Sequence, residues 1–241
     1  MRQLIVNADD FGQSRGINLG VIEAHQKGIV TSASLMVRWP RATEAADYAR
    51  NHPDLSVGLH VDLGEWIFSD GRWMELYHVV RTQDAAAVAD EVQRQLDRFR
   101  ELLQREPTHV DSHQHVHRDE PVRSVVCGLA DDIGIPCRGH SPAQYCGAFY
   151  GQSATGEAFH EAISVESLMK LLAELPAGIT ELGCHPGLGS DLKTMYVNER
   201  EHEVRALCDP RVSDVIKRQK VTLCSFHELR LTRERRSNSD A

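Results

Sequence analysis

The sequence predicts an α/β domain built on a mostly parallel sheet with helices packed over it. Three observations carry that expectation. Short apolar runs alternate with stretches of helical periodicity, the order expected of a parallel sheet. Asp and His recur at the C-terminal ends of the apolar runs, where (β/α) barrels and open doubly wound sheets both carry their chemistry. The 241 residues, 41% hydrophobic and 26% charged, supply one substantial core, and no fixed-period repeat or low-complexity linker divides them.

Leu4-Ile5-Val6 reads as a buried strand that ends in Asn7-Ala8-Asp9-Asp10-Phe11-Gly12. Gly16 to Lys27 carries Ile17, Val21, Ile22 and Ala24 at helical spacing, and Ile29 to Val37 is a second strand. The Ala-rich helix from Ala42 to Arg50 stops before Pro53, and a third strand, Leu55 to Val61, brings His60 near its end. Asp62 to Tyr77 mixes Trp66, Phe68, Trp73 and Tyr77 with glycines and acids, and reads as a long loop able to cover a site. Gln83 to Glu106 is the longest helix, with Val88, Val92, Leu96, Phe99 and Leu103 on one face. A histidine-rich strand follows Pro107. Val122 to Ile133 is a helix, Ile135 to Arg138 a short strand, and Pro142 to Phe159 mostly loop. Val165 to Leu175 is helical, and Gly178 to Cys184 is an apolar strand running into His185. Glu199 to Leu207 and Val212 to Arg218 are helices, and Val221 to Cys224 is the last strand. Residues 1–231 form the domain, and 232–241 a mobile tail.

A net charge of -8 without a long basic stripe excludes a nucleic-acid footprint, and Arg230 to Arg236 is a solvated run. No apolar segment is long enough for a transmembrane span, and the N-terminus lacks a secretory signal, so a cytoplasmic location is expected. Cys127, Cys137, Cys146, Cys184, Cys208 and Cys224 are scattered without a CxxC pair and read as reduced thiols. A homodimer is compatible with the sequence, which does not fix the oligomeric state.

Asp111, His113, His115 and His117 fall at every second position. Continued as a strand, they share one face at about 6–7 Å intervals. Imidazole and carboxylate bind Zn²⁺ and related ions. A polar edge strand facing water is the plainer alternative, but the β-prone Thr108-His109-Val110 leading into this density of ligand groups favours a metal site. A catalytic site commonly takes three protein ligands and keeps one position open. Asp10, His60 and one histidine of this stretch supply such a set, and the residues alone leave His113 and His115 equal.

Asn7-Ala8-Asp9-Asp10-Phe11-Gly12, Gly28-Ile29-Val30-Thr31-Ser32, Gly58-Leu59-His60, Asp111 to His117 and Cys184-His185-Pro186-Gly187 occur in that order. Together they resemble the YdjC family of carbohydrate deacetylases, over Leu4 to about His185. The resemblance implies a single-domain distorted (β/α) TIM-like barrel. It also implies hydrolysis of the acetamide of an N-acetylated sugar or glycoconjugate with one divalent ion, Mg²⁺ or Zn²⁺. The ligands it implies are Asp10, His60 and His113, with Asp9 as general base and His185 as general acid. Asp111, His115, His117 and Arg138 then stand behind the ligands or meet substrate, and Trp66, Trp73 and Tyr77 are candidates for stacking on a sugar ring.

Two other readings compete. A multi-metal phosphoesterase would use both His113 and His115 as ligands. A non-catalytic carbohydrate-binding protein would keep the sugar site without turnover. Asp9 has a plainer alternative as a helix cap, and His185 as a residue that merely precedes a turn.

Overall fold

β1 (Arg2–Phe11) is the longest strand and the one on which the sheet is assembled. The computed structural model describes residues 1–229, so the expected tail and the basic run from Arg230 lie outside the described residues. After β1 come α1 (Arg15–Lys27), β2 (Ser32–Leu35), α2 (Ala42–Asn51) and β3 (Ser56–Val61). The hairpin β4 (Gly64–Ser69) and β5 (Arg72–His78) leads to α3 (Ala85–Leu103) and β6 (Val110–Ser112). Then follow α4 (Val122–Asp132), β7 (Ala143–Cys146), α5 (Val165–Ala173), β8 (Gly178–Cys184), α6 (Asn198–Leu207), α7 (Pro210–Arg218) and β9 (Val221–Leu223).

The main sheet runs β6-β3-β2-β1-β8-β7, every pair parallel. β8 pairs with β1 from Arg2 to Ala8. Along its other edge, β1 pairs with β9 from Arg2 to Leu4 and with β2 from Asn7 to Phe11. The result is a curled half-barrel with helices outside, the distorted barrel expected. A single parallel bridge from Val110 to Cys137 is all that forms where a strand was expected at Ile135 to Arg138.

Strand alternation separates two environments. Leu4, Val6, Ala8, Val57, Leu59 and Val61 join the large core shared with the helices. The opposite residues meet inside the curl, where the apolar cluster is small: Ile5, Ala143, Cys224, Phe226 and Leu229. Above that plug the interior is polar, with Asn7, Asp9, Ser34, His60, His109, Asp111 and Glu181 all buried. Because every strand of the main sheet is parallel, the polar groups nearest the strand C-termini gather at one end.

Two expectations need correction here. Asp62 to Tyr77 is largely an antiparallel hairpin, whose outer face is exposed. The 111–117 stretch does not continue as a strand. β6 ends at Ser112, paired with Val61 at the end of β3, and a 3-10 turn covers His113–Arg118. Gln114 and His115 have φ of 49° and 55°, so the chain curls left-handed and the alternation ends. With no strand beyond Val61 to pair with, residues after Ser112 lack a ladder to extend them. β7, within the expected 142–159 loop, is a further addition.

Candidate active site

Asp10, next to last in β1, takes a left-handed conformation, φ 65°, inside the register shift between Ala8 and Phe11. Regular alternation would send Asp10 to the face opposite Asp9; with this kink both residues line the same cavity. Asp10 Oδ1 lies 2.9 Å from His113 Nδ1 and 3.4 Å from His60 Nε2. All three side chains are buried and could hold one metal ion. Bonds of about 2.0–2.2 Å in tetrahedral geometry place donors about 3.3 Å apart, close to the spacing seen.

The surroundings also suit an ion. His60 Nδ1 donates to Asp111 Oδ1 at 2.6 Å, which leaves the Nε2 lone pair directed at Asp10. Arg200 Nη2 donates to Asp10 Oδ2 at 2.7 Å, which leaves Oδ1 for the cluster. Burial works against the Asp10 carboxylate, but the charges of Arg200 and His113 hold it well below the usual carboxylate range. Despite burial, Asp111 and Asp10 push His60 up to about 9, and Asp10 pushes His113 up to about 10. The neighbouring carboxylates thus favour positive charge at the two imidazoles.

Asp9 faces a different partner. Arg138 donates to Asp9 from Nη1 and Nη2 and to Glu181 from Nε, and its Nη2 forms an ion pair with Asp111 Oδ2, each at 2.7 Å. Burial opposes ionisation of Asp9, but Arg138 outweighs it and lowers the carboxyl below its ordinary value. Asp9 also forms a second cation-competent group with His60 and Asp111. Arg138 contacts both of these carboxylates, and both oxygens of Asp9, whereas Arg200 leaves Asp10 Oδ1 to the two imidazoles, so the Asp10 group is the better ion site.

His185, one residue past β8, sits with Nε2 3.8 Å from Asp9 Oδ2 and Nδ1 3.9 Å from Glu203 Oε1. Burial pushes its imidazole down to about 4. Its backbone N–H and the Tyr196 hydroxyl both make short hydrogen bonds to Glu203.

Of the sequence candidates, Asp9, Asp10, His60, His113, His115 and His185 line one cavity of about 690 Å³. His115 is not part of either metal-competent group; its Nε2 meets the Tyr145 hydroxyl at 3.1 Å. His117 turns inward to Ser112 Oγ at 2.6 Å and the Arg138 carbonyl at 3.2 Å, so it pins the segment carrying Arg138 rather than facing substrate. Trp66 and Trp73 reach the cavity, whereas Tyr77 donates to Asp62 Oδ1 at 3.0 Å outside it. Cys184 is packing, as expected, with its thiol on the Asn7 carbonyl.

Sequence reading missed Arg200, Glu203, Tyr196, Tyr145, Glu181 and Glu65. The last closes the other side of His113, with Oε2 3.6 Å from Nε2. A faint signal existed for two of them: Arg200 and Glu203 are three residues apart, which places them together on one side of α6.

A curled (β/α) half-barrel with a buried Asp–His–His cluster at its strand C-termini defines the class: a barrel enzyme with a candidate divalent-metal centre. The chain belongs to the YdjC-like protein family, whose model matches residues 3–218. The carbohydrate deacetylase of Geobacillus stearothermophilus is 32% identical, over 94% of this chain and 98% of that one. The chitooligosaccharide deacetylase of Serratia marcescens is also 32% identical, over 94% and 98%. Among solved structures, one from Enterococcus faecalis V583 matches with a TM-score of 0.78 at 24% identity, covering 95% of this chain and 98% of its own. A family 4 carbohydrate esterase from Streptomyces lividans matches at 0.56 and 13% identity, covering 93% and 91%. These two likenesses are of fold. No helix among the described residues is long and apolar enough to cross a membrane.

Proposed function

We propose that the protein is a divalent-metal-dependent hydrolase that removes the acetyl group from an N-acetylated sugar or glycoconjugate. The observation that carries this reading is the convergence of Asp10, His60 and His113 on one point at the floor of an open cavity. A volume of about 690 Å³ suits a small saccharide, and Trp66 and Trp73 on its wall suit the apolar face of a sugar ring.

Asp10, His60 and His113 are the ligands in this proposal. Two imidazoles and one carboxylate fit Zn²⁺ or a similar ion better than Mg²⁺, which prefers oxygen and its own water. When bound, such an ion supplies Lewis acidity, polarising the amide carbonyl and acidifying water. Asp9, kept ionised by Arg138, takes the proton of the attacking water as general base. His185, on the far side of Asp9, protonates the leaving amine. Since burial favours its neutral form, it must gain that proton within the reaction, and Asp9 at 3.8 Å is the neighbouring donor. Asp111 fixes the His60 tautomer, and Arg200 fixes Asp10.

The phosphoesterase reading loses its basis because His115 is turned to Tyr145 instead of joining His113. The decisive experiment is acetate release from a panel of N-acetylated oligosaccharides and lipid-linked sugars with added Zn²⁺, Co²⁺ or Mg²⁺. Release that depends on the ion is expected; none across the panel sinks the reading.

A further inference from the structure

A buried polar chain climbs the inside of the barrel to the ligand cluster, and the hydrolytic scheme leaves most of it unused. It starts at Ser32 on β2, whose hydroxyl donates to Ser56 Oγ on β3 at 3.2 Å. Ser56 Oγ is 2.8 Å from Thr108 Oγ1, which is 3.0 Å from His109 Nδ1. His109 Nε2 is 3.0 Å from Ser34 Oγ, and Ser34 donates to Asp111 Oδ2 at 2.7 Å. Asp111 Oδ1 accepts from His60 Nδ1. Every member is buried.

Donor and acceptor counting fixes where each hydrogen lies. Ionised Asp111 only accepts, so the single Ser34 hydrogen goes to it. Ser34 accepts at both lone pairs, from Asn7 Nδ2 at 2.8 Å and from His109, whose Nε2 must therefore carry hydrogen. His109 Nδ1 is then bare and accepts from Thr108, which accepts from Ser56, while the Ser32 hydrogen is shared between the Ser56 hydroxyl and carbonyl oxygens, both at 3.2 Å. From Ser56 onward all donors point the same way, toward Asp111.

The ring is held on both faces. It stacks on Phe226 with centroids 3.8 Å apart and planes 20° apart. On its other side a Cβ at Gly58 would come within 2.5 Å of it, so only glycine lets the imidazole lie against β3. The glycine of Gly58-Leu59-His60 thus makes room for His109. Desolvation keeps the ring neutral, pushing it down to about 3.

We propose that His109 is a positioning residue for His60: as the Nε2–H tautomer it aims the Ser34 hydroxyl at Asp111, fixing the carboxylate that orients the ligand imidazole. The inference rests on reading Asp10, His60 and His113 as ion ligands.

Long-range ¹H–¹⁵N spectra of the histidine side chains, recorded on the full chain with and without Zn²⁺, read the tautomer directly. A neutral ring with hydrogen on Nε2 is expected throughout pH 6–9. Hydrogen on Nδ1, or a charged ring, overturns the proposal. His109→Phe keeps the stacked ring and removes both nitrogens. Its Zn²⁺ affinity, measured by chelator competition, should fall about tenfold, the lower end of the range for partners standing behind a ligand. His109→Gln, whose amide can donate to Ser34, should recover part of that loss. Wild-type affinity in His109→Phe overturns the proposal. A wild-type chain that binds no Zn²⁺ overturns the ligand reading together with it, whereas Zn²⁺ binding with the wrong tautomer overturns the proposal alone.

Discussion

The two oxygens of Asp9 meet two nitrogens of Arg138 at 2.7 Å each, a parallel fork buried between β1 and the segment following Cys137. Arg138 serves Asp111 and Glu181 at the same time, so one guanidinium holds three carboxylates. Arg138→Gln would leave them uncompensated, and a loss of about 3–5 kcal/mol is expected in urea unfolding. Arg138→Lys keeps the charge without the fork. In that variant Asp9 should titrate at higher pH. A base works only when ionised, so the acid limb of kcat/KM should move upward; an unmoved limb would argue that Asp9 is not the base.

Asp9→Asn and Asp10→Asn, neighbours on one strand, should separate cleanly. In Asp9→Asn one bound ion per chain is expected to survive while kcat falls roughly 10²–10⁴-fold, the usual contribution of a general base. In Asp10→Asn the ion itself should be lost, because the charged oxygen nearest both imidazoles is removed. Metal content by elemental analysis, beside kcat, checks both. Loss of the ion in Asp9→Asn would move Asp9 into the ligand set.

The strands were legible where burial on both faces leaves an apolar run, as in Leu4-Ile5-Val6, and α3 was legible because its buried residues keep helical period. The position of Asp10 and His60 at strand ends followed from the same pattern. The 113–118 turn was not legible, because alternation in sequence says nothing about whether a partner strand is present, and β3 stops at Val61. Arg200 and Glu203 were hidden for another reason. Asn198-Glu199-Arg200-Glu201-His202-Glu203 reads as a solvent-facing helix turn, yet Glu199, Arg200 and Glu203 are buried, the last two against site residues. Only long-range partners such as Asp10 and His185 reveal it.

Glu203 should impose a pH dependence on stability. Burial pushes its carboxyl from 4.5 up to about 8. Between about pH 4.5 and 8 the unfolded chain releases a proton that the folded chain keeps, so this group's contribution falls as pH rises. Glu203→Gln mimics the protonated form and has no such proton. Its melting temperature should match the wild type at pH 5 and exceed it at pH 9. The gap should be at least about 5–10 °C, because burying a charge costs more than the roughly 1–3 kcal/mol of a neutral polar group and each kcal/mol is worth about 2–4 °C. A constant offset at both pH values would exclude Glu203 as the titrating group.

Gly20 tests how His185 is held. It lies on α1 against the segment after β8, where a Cβ would fall 2.3 Å from Gly187 Cα. Gly20→Ala gains up to about 1 kcal/mol of helix propensity, but overpacking costs about 1–3 kcal/mol, so net destabilisation is expected. The backbone that must give way is two residues from His185, and the Gly187 N–H also donates to the carbonyl of Arg200, whose guanidinium holds Asp10. Turnover should therefore fall at least tenfold, since misplacement of a reacting group by about 1 Å can cost 10²-fold, with a smaller loss of Zn²⁺ affinity through Arg200. Full turnover in a variant of unchanged stability would show that α1 does not set the position of His185.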